Sequence, residues 1–411
     1  MRSNLGRFHR PMSRGAMGDM LMMNNLGNGA LLSLDFTTGI VPTALTFTRA
    51  DTTARATFID ASGYVKTVAA AGAARFDYMG GVAKGLLVEA AATNLLKYSA
   101  YADTNWLVFG GFTKPSPYVL VTSPANDLTA SKLNFTSTGN GLYTNNSLMG
   151  YTNTVGATYT QSAWIRATIN TNNLNIRFGD SASGFSSNIP ITTTWTRYSY
   201  SYTALSASGP TLASASGSHT GEFEMWGFQL EQATSPSSYI NTTTAALTRL
   251  ADDAVIRSTA WTSLYAQPGA MVVEFYRGAY GAGDRSIMST DPTATRHWHL
   301  KQANASATAQ IAFSAGSPVT QTGLVSGLNK VAIAWNAPTP TASFDLCVNG
   351  ATPTFGGSNV GTTLSTWLNL GSQSTTGVSG TGVWDGYLNN SIKSVKYYSA
   401  LTYAEMIAKT T

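Results

Sequence analysis

Apolar and polar residues alternate along this chain in short runs, which are bounded by Gly, Asn, Ser, Thr and Pro. Alternation with a period of two is typical of half-buried β-strands, and helical periodicity is almost absent. Many short strands at this spacing predict an all-β protein made of β-sandwich or jelly-roll domains. The pattern predicts strands at 158–168, 174–179, 195–204, 222–231, 270–278, 296–302, 330–336, 343–350 and 391–400.

One segment, "TYAEMIAK" at 402–409, has the pattern of a helix. Thr402 is suited to the N-cap position, and Glu405 stands three residues later, which is the spacing of a capping box. A chain of 411 residues is long enough for two or three domains. We place a division near 245–260.

The domain organisation predicted from these patterns has four parts. They are an N-terminal arm (1–34), a β connector (35–94), a first sandwich (95–256) and a second sandwich (257–411).

Charged residues make up only 11% of the chain, which is less than half of the usual share. The surface must therefore be mostly hydroxyl and amide, as in extracellular β-rich proteins and virion parts, and unlike a charge-rich cytosolic enzyme. Cys347 is the only cysteine, which excludes an intrachain disulfide. It lies in the strand-like run "SFDLCVNG", where a small buried residue is expected rather than a reactive thiol.

The N-terminal region carries the most concentrated charge. Its first fifteen residues contain no acid and four arginines, which are Arg2, Arg7, Arg10 and Arg14. This pattern indicates a disordered tail, an arm that anchors the protein to a larger assembly, or a nucleic-acid contact. The net charge of +5 is otherwise spread thinly and no nucleic-acid stripe is visible, which disfavours the nucleic-acid contact. The disordered tail stays open, and the domain prediction takes 1–34 as the anchoring arm. Polar residues from Asp19 onward interrupt the apolar run, so we expect no secretory signal. No apolar run is long enough to insert in a membrane.

Four short motifs resemble a stretch common in bacteriophage structural proteins. The chain departs from that pattern at Ala74 and at 90–92, where the family tends to carry proline and charge. The matching motifs are "FTRA" (47–50), "RFDY" (75–78), "GLLVE" (85–89) and "TNLL" (93–96).

Later segments extend this resemblance over roughly 45–411. The run "MWGFQLEQATSPSSYINTTTAALTRLADDAVI" is similar to the closing segment of a carbohydrate-binding-like jelly roll, where it is scaffold. The C-terminal third, including "NKVAIAWN" and "WDGYLNNSIKSVKYYSALTYAEM", resembles a concanavalin-like or laminin-G-like sandwich. The resemblance implies a virion fibre, spike or tail component whose usual role is binding surface glycan.

Catalysis by a carboxylate pair was considered for Glu222 and Glu224, which a strand would place roughly 6–7 Å apart on one face. Laminarinase-type glycosidases carry a third carboxylate on such a strand, whereas this chain has Trp226 there. We therefore expect a structural role for the pair and no enzymatic activity. His297 and His299 can hold a metal only with a third ligand from elsewhere, and a surface pair is favoured. A loop Ca²⁺ site at Asp284 and Asp291 is left open, and we otherwise expect no metal and no cofactor.

Sugar binding requires an aromatic face rimmed by hydrogen-bond donors. In "TYTQSAWIRAT" the alternation places Trp164 on an otherwise polar face with Arg166, and Arg177 follows on the next strand. These three residues are the predicted carbohydrate site. The alternative is that Trp164 packs against a neighbouring subunit or the connector. The stripe of Tyr198, Tyr200 and Tyr202 is expected to pack in the core.

The sequence thus predicts a bacteriophage virion protein, a head or tail fibre or spike at the particle surface. Its expected partners are portal, capsid or tail proteins through the arm, host cell-surface glycan, and two further copies in a homotrimer. We expect no nucleic acid among its partners. The alternatives are a glycan depolymerase and a ligand-free decoration or adaptor protein.

Overall fold

A computed structural model describes residues 29–100, 106–109, 112–113, 119–135, 141–144, 151–168, 174–180, 182–214, 221–257, 259–278, 284–290, 297–303, 306–313, 317–336, 341–360, 365–372 and 387–411. Within these residues the fold is all-β, as predicted, with antiparallel sheets and two short helices. Neither of these helices is long and apolar enough to cross a bilayer.

The strands are numbered in chain order. Those before residue 100 are β1 (Leu32–Asp35), β2 (Thr46–Arg49), β3 (Thr57–Ile59), β4 (Val65–Thr67), β5 (Phe76–Met79), β6 (Val82–Val88) and β7 (Ala92–Asn94). The next are β8 (Trp106–Phe109), β9 (Phe112–Thr113), β10 (Leu120–Val121), β11 (Ala130–Phe135), β12 (Gly141–Thr144), β13 (Thr158–Ala167), β14 (Asn175–Asp180), β15 (Gly184–Phe185), β16 (Ile189–Pro190), β17 (Thr196–Thr203), β18 (Thr211–Ser214) and β19 (Gly221–Glu231).

The remaining elements form the C-terminal part. Its strands are β20 (Leu247–Arg249), β21 (Asp252–Arg257), β22 (Gly269–Arg277), β23 (Arg285–Thr290), β24 (Trp298–Gln302), β25 (Thr308–Phe313), β26 (Val319–Thr322), β27 (Gly327–Trp335), β28 (Thr341–Val348), β29 (Thr354–Val360), β30 (Trp367–Leu370) and β31 (Asn390–Tyr398). The helices are α1 (Thr259–Tyr265) and α2 (Tyr403–Thr410). Each of the nine strands predicted from the sequence overlaps an observed strand.

The first sandwich consists of two sheets. Sheet I has the strand order β10-β11-β19-β13-β17, with β9 also beside β11. Sheet II has the order β15-β14-β18-β12-β8, with β16 also beside β14. Their inner faces share one hydrophobic core, in which Tyr159 and Phe223 of sheet I meet Phe178 and Leu212 of sheet II. The predicted packing of the tyrosine stripe is confirmed, because Tyr202 is buried in this core and Tyr198 and Tyr200 pack against it.

The second sandwich draws strands from both ends of the described chain. Sheet III has the order β29-β28-β27-β22-β31-β6-β5, with β1 also beside β31. Sheet IV has the order β2-β21-β30-β23-β24-β25-β26. The core between them includes Leu34, Leu86 and Val88, which lie in the predicted arm and connector. The connector prediction for 35–94 is therefore corrected, because apolar strands of this segment complete the second sandwich.

The first sandwich is an insertion in the second. The chain leaves the second sandwich after β7 and returns at β20, and these two strands pair with each other, Asn94 opposite Leu247. Strand β21, which begins at Asp252, already belongs to sheet IV. The structural boundary of the insertion therefore lies at the β7–β20 ribbon, a few residues before the predicted end of the first sandwich.

A bulge in β19 sets which side chains reach the outer face of sheet I. Phe223 and Met225 point to the core, whereas Trp226 lies in a cluster on the outer face. Gly227 then adopts φ +67°, a left-handed conformation that glycine tolerates, and the added residue returns Phe228 to the core. A Cβ at position 227 would lie 3.0 Å from the Trp164 ring, so glycine also permits close packing there.

The C-terminal helix α2 covers the outer face of sheet III. Its N-terminus has the predicted capping box, in which the Thr402 side chain accepts from the Glu405 N–H and the Glu405 carboxylate accepts from Thr402. Met406 packs on small sheet residues that include Cys347, which is buried. The prediction that Cys347 is a small core residue is confirmed.

Candidate functional site

The outer face of sheet I is covered by distant parts of the chain. The hairpin β3–β4 brings Ile59 and Val65 onto Trp164 and Trp226, which are opposite each other on β13 and β19. Tyr239 completes an aromatic cluster, with its ring centroid 4.5 Å from that of Trp226 and 5.7 Å from that of Trp164. This cluster forms a floor at the junction of the two sandwiches.

A cleft of about 280 Å³ opens at this junction. Its walls come from the β3–β4 and β5–β6 hairpins, sheet I, the segment 236–239 and the start of β31. We call it the junction cleft. The side chains that line it include Asp77, Lys84, Glu89, Trp164, Arg197, Ser237, Ser238, Tyr239, Asn389 and Asn390.

Arg197 is the central cation of the junction cleft. Its guanidinium carbon lies 4.5 Å from the Trp164 ring centroid, a cation–π distance. Nη1 donates to the Ser237 carbonyl at 2.6 Å, and Nη2 donates to Ser162 Oγ at 2.9 Å. Burial lowers the pKa of Arg197, and the negative charges of Glu231 and Glu89 act in the opposite direction.

The opposite wall comes from the second sandwich. Lys84 Nζ lies 2.9 Å from Asp77 Oδ2, and Asp77 Oδ1 accepts the N–H of Ile59 at 2.8 Å. Asn389 has φ +51°, and its Oδ1 accepts the N–H of Ala90 at 2.8 Å. With Asn390 beside it, this wall offers ammonium, carboxylate and amide groups to the cleft.

A buried ion network lies behind the cleft. Its six members are Arg49, Asp51, Arg75, Glu89, Arg249 and Asp252, and their side chains are at most 4% exposed. Asp252 accepts from Arg49 at 2.9 Å, from Arg75, and from the Glu89 N–H at 2.9 Å. Glu89 pairs with Arg75 at 2.6 Å and with Arg249 at 3.5 Å.

The network is electrically balanced and reaches the cleft through one serine. Ser238 donates its N–H and its hydroxyl to the Glu89 carboxylate, each at 2.7 Å. Burial alone would raise the pKa of Glu89, but the charges of Arg249 and Arg75 and the Ser238 hydrogen bonds lower it to about 2. The network therefore fixes the segment that carries Ser237 and Tyr239 against the second sandwich.

This network gives a structural role to the motifs found in the sequence. Arg49 belongs to "FTRA", Arg75 to "RFDY" and Glu89 to "GLLVE", while Arg249 and Asp252 lie in "TRLAD". Only 11% of the residues are charged, so charged residues within these short motifs were a signal of a buried network that the sequence analysis did not use. Charged residues at positions that are otherwise apolar indicate buried pairs, because an unpaired buried charge is costly.

The structure separates the three residues predicted to bind carbohydrate. Trp164 lines the cleft but is only 8% exposed, because the connector hairpin, Tyr239 and Arg197 cover it. The prediction that Trp164 presents an open face for sugar stacking is therefore wrong. The structure shows the alternative, in which Trp164 packs against the connector. Arg166 pairs with Glu224 and lies 4.8 Å from the Trp195 ring centroid. Arg177 lies on β14 of the opposite sheet, 5.0 Å from the Phe185 ring centroid. The arm residues Arg2, Arg7, Arg10 and Arg14 lie outside the described residues.

Glu222 and Glu224, the candidate catalytic pair, each form a salt bridge with a basic residue on a neighbouring strand. Glu222 lies 2.9 Å from Lys132, and Glu224 binds Arg166. Both pairs are salt bridges on the outer face of sheet I. This arrangement agrees with the structural role that we predicted for them.

The two histidines and Asp284 of the candidate calcium loop lie among the described residues. In the part of the chain that the structure describes, no three His, Cys, Asp or Glu side chains are grouped to hold a metal ion. His297 and His299 are buried rather than at the surface, and burial lowers the pKa of His299 to about 3. Asp284 pairs with Lys301, and Asp291 lies outside the described residues.

Sequence reasoning missed the cleft residues outside β13. Arg197 alternates with the tyrosines of β17, and this alternation places it on the outer face. Tyr239 and Ser238 lie in "SPSSYI", which the resemblance marked as scaffold. No local pattern connects these residues with Lys84 or Asn390, which are more than a hundred positions away.

No protein-family model matches the chain, and no curated protein matches it at a significant level. Similar solved structures include the Ruminococcus gnavus IT-sialidase CBM40 bound to α2,3-sialyllactose, at 19% identity over 37% of this chain and 87% of that chain, with a TM-score of 0.27. The CBM22 tandem of Paenibacillus barcinonensis Xyn10C is 8% identical over 76% of this chain and 99% of that chain, with a TM-score of 0.26.

Mouse laminin α1 domains LG4-5 are 10% identical over 78% of this chain and 92% of that chain, with a TM-score of 0.26. All three are carbohydrate-binding modules or laminin G domains by name. At these TM-scores the likenesses carry no inference about what the present chain binds.

Proposed function

We propose that this chain is a non-catalytic glycan-binding protein of the bacteriophage particle surface and that it binds sugar in the junction cleft. The observation that carries the binding proposal is the composition of the cleft wall. Aromatic groups of Trp164 and Tyr239 lie beside the guanidinium of Arg197, the ammonium of Lys84 and the amide of Asn390.

Sugars suit such a wall because they combine apolar C–H faces with many hydroxyl groups. A cleft of about 280 Å³ is at the lower end of the roughly 300–1,000 Å³ of small-molecule sites. It fits one or two sugar residues better than a long chain segment. Since little ring surface is exposed, the polar groups supply most of the selectivity.

The buried ion network supports this proposal because it holds the two walls in place. Ser237 and Tyr239 come from the inserted sandwich, whereas Lys84 and Asn390 belong to the other. Fixing their separation before the ligand arrives reduces the ordering cost of binding.

Attachment to a phage particle is supported by the sequence motifs and the basic arm. In this proposal the basic N-terminal arm with Arg2, Arg7, Arg10 and Arg14 docks on a portal, capsid or tail protein, and three copies assemble as a fibre or spike. Deleting residues 2–20 is expected to abolish incorporation into particles while the purified protein still folds. Normal incorporation of the truncated chain would remove the arm from the proposal.

The binding proposal is tested with purified full-length protein and oligosaccharides from bacterial surface polysaccharides. Retention on an oligosaccharide column with unchanged oligosaccharide length is expected. Asn390→Ala removes a polar group of the wall and should weaken retention about 5-fold, the effect of one hydrogen bond. Arg177→Gln, a polar change outside the cleft, is the matched control and should not alter it.

Two results would contradict the proposal. Shortening of the oligosaccharide would favour the depolymerase alternative, and Glu222 and Glu224 would be the first residues to replace. Absence of retention on every oligosaccharide would favour a ligand-free decoration protein.

A further inference from the structure

The junction cleft contains two cations that differ in their partners. Lys84 lies within 2.9 Å of Asp77, so its charge is compensated inside the cleft wall. Arg197 has no carboxylate within the 4 Å of an ion pair among the residues that the structure describes. A buried or half-buried cation without such a partner is uncommon, because desolvation of the charge is costly.

The nearby acids are engaged elsewhere. The Glu231 carboxylate accepts the N–H of Ser237 at 2.9 Å, its hydroxyl at 2.6 Å and the Gln229 amide at 2.8 Å. Glu89 is held by Arg75, Arg249 and Ser238. Neither carboxylate forms an ion pair with Arg197, although both act on it through space.

Arg197 is also held in a fixed position. Its guanidinium carbon lies 4.5 Å from the Trp164 ring centroid, and two hydrogen bonds to Ser237 and Ser162 orient the group. A guanidinium has five N–H donors. These two bonds leave one N–H on each of Nη1 and Nη2, while Nε is buried and has no partner among the described residues. A fixed guanidinium is suited to bind a carboxylate or phosphate through two parallel hydrogen bonds.

We infer that the glycan taken by the junction cleft is acidic and that its carboxylate or phosphate group pairs with Arg197. This inference rests on the proposed function and names the chemical class of its ligand. The acidic group supplies the direct ion-pair partner that Arg197 lacks among the described residues, and the hydroxyl groups of the same sugar meet Asn390 and the Lys84–Asp77 pair.

The test compares three oligosaccharides of equal length on the full-length protein. They are an oligogalacturonate, its carboxyl-reduced neutral form, and a neutral oligosaccharide that carries one phosphate. Binding of at least one acidic form is expected to be about 10- to 100-fold tighter than that of the neutral form. The two acidic arms identify whether carboxylate or phosphate is the group recognised.

Arg197→Gln tests the same contact from the protein side and should remove the preference for the acidic form. Arg166→Gln is the matched control, since Arg166 also lies over a Trp ring, that of Trp195, but does not line the cleft. The carboxyl-reduced sugar needs no variant, so the test holds even if Arg197→Gln fails to fold.

Equal binding of the neutral and acidic forms would overturn the inference and leave glycan binding standing. If the protein binds none of these three, and none of the oligosaccharides from bacterial surface polysaccharides, the proposed function itself is contradicted. A preference for the acidic form that survives Arg197→Gln would also overturn the inference.

Discussion

Replacing Asp252 with Asn is the sharpest test of the buried ion network. The change keeps the size of the side chain and removes one negative charge from a site with no exposure. Three arginines would then face two carboxylates, and the new amide would direct N–H groups toward at least one guanidinium. The remaining pairs, Arg49 with Asp51 and Arg75 with Glu89, would stay in place.

The expected loss is about 3–5 kcal/mol of unfolding free energy, the usual cost of removing one partner from a buried pair. Unfolding entropy is about 2.1 cal/mol/K per residue, or about 0.9 kcal/mol/K for all 411 residues. If the two sandwiches unfold together, the melting temperature should fall by about 3–6 °C.

Thermal unfolding followed by tryptophan fluorescence and circular dichroism measures this shift. Glu222→Gln is the matched control, because Glu222 pairs with Lys132 at 2.9 Å but is 47% exposed. Exposed pairs contribute about 0–1 kcal/mol, so its melting temperature should move by about 1 °C or less. Two separate transitions in Asp252→Asn would show that the network couples the sandwiches.

A fall in melting temperature in Asp252→Asn no larger than that in Glu222→Gln would show that the buried network does not stabilise the fold. Apolar contacts would then hold the junction, and the network would contribute orientation without stability. Retention of a single transition with the expected shift would support a network that stabilises both sandwiches as one unit.

Three further predictions concern stability. The folded pKa of Glu89, about 2, lies below its ordinary 4.5, so its contribution is present above pH 4.5 and is lost as the pH falls toward 2. The difference in unfolding free energy between wild type and Glu89→Gln should therefore be smaller at pH 3 than at pH 6. Equal differences at the two pH values would contradict this. His299 stays neutral in the fold because burial lowers its pKa from 6.5 to about 3, so protonation of the unfolded chain should reduce stability as the pH falls through this window. Melting temperatures of wild type and His299→Gln between pH 7 and 4 should show a flatter profile in the variant, and parallel profiles would count against it. Gly85→Ala should unfold the protein or strongly lower its soluble yield, because the added Cβ would lie 2.1 Å from a backbone oxygen, whereas Gly184→Ala has open space at a similarly positive φ and should cost only about 1 kcal/mol. Comparable yields and melting temperatures for these two variants would show that the backbone can relax at position 85.

The strands and the C-terminal helix were predictable because their signals are local. Alternation in β13 gave the core face of Tyr159 and Ile165 correctly. The spacing of Thr402 and Glu405 gave the helix start, since a capping box involves only neighbouring backbone groups.

The cleft could not be predicted in this way, because its parts come from separate regions of the chain. Trp164 stands on a face whose neighbours in sequence are polar, and this pattern indicates exposure. Residues around Ile59 and Val65 cover that face, and their position depends on strands that pair with β31. The alternation around Trp164 cannot show that a hairpin about a hundred residues earlier in the chain covers this face.

The inserted arrangement of the first sandwich has a consequence for how this protein can change by recombination. Both ends of the insertion leave through one two-stranded ribbon, so an exchanged segment would have to keep that ribbon, the bond from Ser238 to Glu89 and the apolar face under the β3–β4 hairpin. Such an exchange would replace the wall that holds Arg197 and Tyr239 and would keep the wall that holds Lys84 and Asn390. Under the proposed function, such an exchange would present a new wall opposite Lys84 and Asn390 and would change the ligand that the cleft prefers.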